Sequence, residues 1–234
     1  MSPYHARAGA LLTETAGDPF GDFSPSVYET ARVVRYAPSL PGHSERLRFL
    51  LGRQRPAGEW NDPPEYALLP TLSATEALLF TIVCPRIAAN PAGISDSVNR
   101  GLRRLFGWLD NGPAPDLPDT VAVEYAVPGL IAAINERLAA GLPPALAAWR
   151  GRRLAAHPAA GPEPLEALRR DTAGGTGPPA TLVHSLEIFG AAARGAPGVR
   201  PRAGTVGCSP AATAAWLGDA AVRARRHPCV SYLE

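Results

Sequence analysis

The sequence contains no lysine: all 23 of its cationic residues are arginines, opposed by 21 acidic residues, and the formal net charge is +2. This near balance excludes the strongly basic surface that is typical of a nucleic-acid-binding protein. The absence of lysine also excludes Schiff-base and P-loop chemistry, because both need the lysine amino group. A composition rich in arginine and alanine without lysine is typical of a GC-rich coding sequence, as in actinobacteria.

Long hydrophobic runs are also absent. No apolar stretch approaches the roughly 18 residues that a membrane-spanning helix requires. The first residues carry Asp18 and Asp22 and no continuous apolar segment, so they do not resemble a secretory signal. We therefore expect no stable membrane insertion, no nucleic-acid partner and a cytoplasmic location.

Cysteine is scarce, and its spacing carries no motif. Cys84, Cys208 and Cys229 are odd in number and far apart in sequence. They predict neither a disulfide scaffold nor a zinc site. The interpretation that remains for each is a small thiol that is buried or half-buried.

What the sequence has is enough apolar material for a sizeable core. The chain is 46% hydrophobic and only 19% charged over 234 residues, which suits one large domain or two small ones. Gly and Pro together make up about a fifth of the residues, with 23 and 26 copies. We therefore expect short elements that are separated by many turns.

Apolar residues recur at helical spacing along most of the chain. Residues 1–22 lack this pattern and are predicted to form a loose N-terminal arm. The first helix is predicted to start with Ser24 as its cap and Pro25 at its first position, and to stop before Pro38. Further helices are predicted at about 43–55, 70–82, 98–109, 127–138, 144–156, 163–171, 180–192, 209–219 and 226–234.

Alternating strand patterns are almost absent, so these helices predict an all-α fold. Pairs of helices with short connections are consistent with an α-solenoid or with a closed ring of hairpins, an α/α toroid. No repeat of about 34 or 40 residues is visible, which argues against tetratricopeptide and HEAT arrays.

Two groups of residues are candidates for chemistry. His184 lies on a predicted helix, where a single histidine is more often a hydrogen-bonded structural residue than a catalytic one. Asp116, Asp119 and Glu124 place three carboxylates within nine residues and could bind a hard cation through oxygen. The alternative is a solvated loop in which Asp119 stabilises the start of a helix. The residues alone leave both alternatives open.

Two N-terminal motifs resemble those of class II diterpene cyclases. Residues 24–31 are similar to their Ser-x-Tyr-Asp-Thr-Ala-Trp stretch, with Glu29 in place of Asp and Arg32 in place of Trp. Residues 54–60 are similar to their Gln-x-x-Asp-Gly-Ser-Trp signature, with Ala57 in place of Asp. Independently of the family, the Gln, Gly and Trp of this second motif suggest a structural tie between neighbouring helices.

Further motifs of the same family follow in the family's order. Residues 123–130 resemble Phe-Glu-x-x-Phe-Pro-x-Leu, and residues 182–187 resemble Leu-His-Ser-Leu-Glu with Val183 for its first Leu. Residues 209–214 resemble Ser-Pro-Ser-x-Thr-Ala, and residues 229–233 resemble Cys-Leu-x-Tyr-Leu. Each motif is weak alone, but their shared order makes the resemblance strong.

The resemblance implies a domain organisation. Enzymes of this family combine two α/α toroids, called β and γ, with the active site between them. It implies a flexible arm at residues 1–23, an N-terminal helix of the β domain at 24–37, and the γ domain at 38–234. The family's acid motif, Asp-x-Asp-Asp, lies in the β domain and does not occur in this sequence. We therefore expect the chain to be a truncated N-terminal part whose first helix, with Val27, Ala31 and Val34, lacks its packing partner.

The resemblance also implies a reaction. Such enzymes protonate an alkene of geranylgeranyl diphosphate and cyclise it to copalyl diphosphate, with Mg²⁺ at the retained diphosphate. Asp116, Asp119 and Glu124 correspond to an acidic stretch tied to magnesium, and His184 to the terminal base of ent-copalyl-forming members. The alternatives are a stand-alone helical binding or scaffold domain, and a toroid subunit like those of protein prenyltransferases, whose zinc-ligand set is not visible.

Overall fold

A computed structural model describes residues 3–17, 25–60, 64–84, 92–225 and 227–234. In this part of the chain the α-helices are α1 Pro3–Gly17, α2 Val27–Tyr36, α3 His43–Arg53, α4 Leu68–Val83, α5 Ile94–Leu109, α6 Val123–Ala139, α7 Glu163–Ala173, α8 Pro210–Ala224 and α9 Pro228–Leu233. Three 3₁₀ helices lie at Pro64–Tyr66, Pro144–Trp149 and Ala180–Ala193. The described residues form no strand beyond isolated bridges, so the all-α prediction is confirmed. No helix among them is long and apolar enough to cross a membrane.

The N-terminal region contains a helix that the sequence pattern did not predict. Helix α1 has no apolar stripe, and residues 4–16 are all exposed. A helix that buries no face leaves no periodic signal in its sequence. The remaining residues of the predicted arm, 1–2 and 18–23, lie outside the described residues.

Helix α2 starts later than predicted. Its cap is Ser26, whose Oγ accepts a hydrogen bond from the backbone N–H of Glu29 at 3.3 Å, and whose own backbone is extended. Pro25 therefore precedes the helix and is not its first residue. The prediction of a Ser24 cap was wrong because Ser26 places its oxygen over the first free N–H groups of the helix.

The packing of α2 also differs from the expectation. The helix packs against both α4 and α8, and Ala31 and Val34 are completely buried while Val27 is 9% exposed. The expectation that these three side chains lack partners in this chain was therefore wrong. Their apolar face is covered because α4 and α8 flank it on two sides. The assignment of α2 to a β domain stays a prediction.

The motif at residues 54–60 has the structural role that was inferred for it. Trp60 is completely buried, and its Nε1 donates a hydrogen bond to the carbonyl of Leu50 at 2.7 Å. The side-chain amide of Gln54 donates to the carbonyls of Gly58 and Ser97, each at 3.0 Å. These bonds join the end of α3 to α5.

Helices α4 and α5 pack closely together at Gly101. A Cβ there would contact the hydroxyl of Thr75 and would lie 3.1 Å from the ring of Trp60. We expect Gly101→Ala to lower the free energy of unfolding by about 1–3 kcal/mol, because the core has no room for the methyl group. Chemical unfolding followed by circular dichroism measures this change.

Gly107 on the same helix provides the matched control. It is exposed, and a Cβ there would meet nothing within 4 Å. Gly107→Ala is expected to be neutral or to stabilise by about 0.5–1 kcal/mol through helix propensity. Equal effects of the two substitutions would contradict the close approach at Gly101.

Candidate functional site

The described part of the chain contains a cavity of about 800 Å³, within the range of small-molecule sites. It lies beside the first turn of α2, the segment before α6, the 3₁₀ helix Ala180–Ala193, the loop before α8 and the end of α9. Apolar side chains such as Val33, Leu69 and Ile188 form part of its wall. This cavity is referred to below as the large cavity.

His184 lies in the wall of the large cavity and is half-buried. Its position depends on Gly207, where an added Cβ would come within 2.5 Å of the His184 Cα. Ser185, the next residue, leaves the helical conformation with φ −119° and ψ 34°. His184 interacts electrostatically with Glu29, and its catalytic role stays a prediction.

Two carboxylates that were not among the predicted site residues also line the large cavity. Glu187 is 5% exposed, and its Oε1 accepts a hydrogen bond from the hydroxyl of Tyr28 at 2.6 Å. Burial raises the pKa of Glu187 to about 7. Glu29 accepts hydrogen bonds from the Ser209 hydroxyl and the Ala211 N–H, and burial raises its pKa as well. Both belong to recognised motifs, but only the fold shows that they are buried.

The three predicted metal ligands are placed differently. Asp116, Asp119 and Glu124 are all exposed, and none of them lines the large cavity, although Pro118 and Thr120 beside Asp119 do. Within the described ranges no three His, Cys, Asp or Glu side chains converge on one point. The three residues do not fit a preassembled three-ligand site, and magnesium binding by them stays a prediction.

A second group of charges lies deeper in the core. Glu76, only 1% exposed, accepts hydrogen bonds from Arg32 Nη2 at 2.7 Å, Arg35 Nε at 3.2 Å and Arg137 Nη2 at 2.6 Å. Burial alone would raise the pKa of this carboxyl, but the arginines overcome that effect and hold its pKa at about 2. A cavity of about 310 Å³, referred to below as the small cavity, opens beside this cluster.

The comparisons with known proteins agree with the helical architecture. No protein-family model matches the chain. The solved structure of an ent-copalyl diphosphate synthase from Streptomyces platensis superposes with a TM-score of 0.86 and 41% identity, covering 99% of this chain and 46% of that one. The fold is therefore that of a helical part of a terpene cyclase.

Relatives in sequence lead to the same group of enzymes. The ent-copalyl diphosphate synthase of Streptomyces sp. (strain KO-3988) is 41% identical over 97% of this chain and 42% of its own length. The copalyl diphosphate synthase of Streptomyces cyslabdanicus is 44% identical over 92% of this chain and 41% of its own length. The chain is related to the copalyl diphosphate synthases, and the resemblance to class II diterpene cyclases is confirmed. It spans about two fifths of the length of these curated relatives.

Proposed function

We propose that the chain is part of a class II diterpene cyclase that converts geranylgeranyl diphosphate to copalyl diphosphate, of the ent form, without losing the diphosphate. The observation that carries this proposal is the place of His184, the residue matched to the terminal base, in the wall of the large cavity. The relatives named above support the reaction class. No observation favours a stand-alone binding domain.

Within this reaction, the residues of the chain bind and enclose the substrate. The apolar wall of the large cavity suits a polyene, which has no hydrogen-bonding groups along its chain. His184 accepts the final proton, directly or through a bound water, because a neutral imidazole nitrogen is a base at physiological pH. Protonation of the alkene needs an acidic group that is held protonated in a dry site. We assign that acid to an Asp-x-Asp-Asp motif in a β domain, since this sequence has no such motif.

The test is reconstitution of activity. We expect the 234-residue chain, incubated with geranylgeranyl diphosphate and Mg²⁺, to form no copalyl diphosphate, because it lacks the protonating motif. A longer protein that contains this chain followed by an Asp-x-Asp-Asp domain is expected to form it. Mass spectrometry of the products shows whether copalyl diphosphate forms in each of the two incubations. Bicyclic product from the chain alone, or none from the longer protein, would contradict the proposal.

Magnesium and a cytoplasmic location are further parts of the proposal. Mg²⁺ is usually held by one or two carboxylates together with substrate phosphates, so it does not require three converging ligands. Asp119 is the best placed of the three, because its neighbours Pro118 and Thr120 line the large cavity. When bound, the ion supplies charge that neutralises the diphosphate.

The magnesium assignment predicts a specific change in the active, longer protein. Asp116→Asn and Glu124→Gln are expected to raise the Mg²⁺ concentration needed for half-maximal activity several-fold, because each removes an anionic oxygen ligand. The control is Asp171→Asn, an exposed aspartate on α7 that does not line the large cavity. If both variants need the same Mg²⁺ concentration as the unmodified protein, these carboxylates do not bind the ion, and the acidic stretch is a solvated loop.

A further inference from the structure

The small cavity is lined by more positive than negative charge. Its wall includes four arginines, at positions 32, 35, 137 and 169, and three glutamates, at positions 76, 136 and 187. Glu136 is exposed, while Glu187 is hydrogen-bonded to Tyr28 and burial raises its pKa to about 7, so its charge is partly neutralised. Glu76 is thus the one carboxylate in this wall that is both buried and fully ionised.

Glu76 does not use up the donors of the arginines around it. Each guanidinium carries about five N–H groups. Among the described residues, Arg35 donates only from Nε, and Arg137 directs both of its bonding nitrogens to the same oxygen of Glu76. Arg32 has a buried Nε with no hydrogen-bond partner in this part of the chain. Three arginines therefore surround a single buried carboxylate, and this excess of positive charge lies in the wall of the small cavity.

The arginines are also held in place before any ligand arrives. Arg35 and Arg137 both lie near the ring of Phe80, with guanidinium carbons 4.2 Å and 5.0 Å from its centroid. Across the cavity, Arg169 Nε and Nη2 both donate to the carbonyl of Ile188, at 2.9 Å and 2.6 Å. Such preorganisation lowers the entropy cost of binding an anion.

The geometry points to the small cavity as a binding site for a phosphate or diphosphate anion, held by Arg35, Arg137 and Arg169. Phosphate oxygens accept forked hydrogen bonds from guanidinium groups, which suits this donor set. A volume of about 310 Å³ is at the lower end for small-molecule sites, so it suits a small anion better than a diterpene chain. Tyr28 and Glu187 line both cavities and separate this site from the large one. The inference does not rest on the proposed cyclase activity.

The test is calorimetric titration of the chain with sodium phosphate and, separately, sodium diphosphate, against sodium chloride at matched ionic strength. We expect saturable binding of at least one phosphate species and none of chloride. Arg35→Gln and Arg169→Gln are each expected to weaken the Kd about tenfold or more, because each removes a charged donor. Circular dichroism shows whether each variant is folded. If one variant misfolds, the Kd of the other still tests the proposed site.

Arg103→Gln is the matched control, since Arg103 is an exposed arginine on α5 that lines neither cavity. It is expected to bind with the wild-type Kd. If both phosphate and diphosphate bind, the site recognises a single phosphoryl group. If only diphosphate binds, the site recognises two linked phosphoryl groups. The inference is overturned if neither anion binds saturably, or if all three variants bind with the same Kd.

Discussion

Replacing Glu76 with glutamine is expected to lower the free energy of unfolding by about 3–5 kcal/mol, the usual cost of removing one partner from a buried ion pair. Arg32, Arg35 and Arg137 all donate to this carboxylate, and Glu76 is 1% exposed. The amide removes the negative charge and leaves three guanidinium groups around a neutral side chain. Urea unfolding of both proteins at neutral pH, followed by circular dichroism, measures the loss.

The pH dependence of this loss identifies its cause. The pKa of Glu76 is about 2 in the folded chain, below the ordinary value of 4.5. Because the folded-state pKa is depressed, the stabilisation is fully present above about pH 4.5 and disappears as the pH falls towards 2. The difference between wild type and Glu76→Gln is therefore expected to shrink across that window. A difference that stays constant with pH would attribute the loss to packing and not to charge.

A surface carboxylate provides the control for this experiment. Glu45 pairs with Arg48 across one turn of α3, and both side chains are largely exposed. Exposed ion pairs of this kind contribute little to stability, because solvent screens the charges. Glu45→Gln is expected to leave the unfolding midpoint unchanged. A comparable loss in both variants would mean that burial of Glu76 is not the source of its effect.

The sequence predicts the fold best where one helix face is apolar. In α5, Val98, Leu102 and Leu105 recur at helical spacing, and all three are completely buried. The segment 180–192 was predicted as one regular helix, but it is a 3₁₀ helix with non-helical backbone at Ser185 and at Gly190, where φ is +60°. Hydrophobic periodicity detects a buried face but does not register a local break in the backbone.

The candidate site was predicted in part, for a similar reason. The motif around His184 led to a residue that does lie in the large cavity. The cluster around Glu76 was missed, because Arg32 and Arg137 are 44 and 61 residues away in sequence. One signal was available: Glu76 is the one charged residue of the hydrophobic helix α4, and a buried carboxylate needs a partner. The sequence does not show which arginines supply it.

His184→Ala is expected to divert the product of the complete, active enzyme. His184 lines the large cavity, where the proposed function places the substrate. Without this base the cyclised cation still forms, because protonation of the alkene does not involve His184. A water molecule then adds to the cation and loses a proton to solvent, giving a hydroxylated product, or the cation rearranges. Formation of the normal product is expected to fall about 100-fold, as is typical for loss of a general base.

The decisive control is a histidine with a structural role. His157 is 4% exposed, its Nε2 is 2.9 Å from the carbonyl oxygen of Pro115, and it does not line the large cavity. His157→Ala is expected to lower stability while the product profile stays normal, because it removes a buried hydrogen bond and no cavity group. Gas chromatography and mass spectrometry of the dephosphorylated products compare the two variants with wild type. If His184→Ala forms the normal product at the normal rate, His184 is not the base, and the reason to prefer the ent series disappears with it.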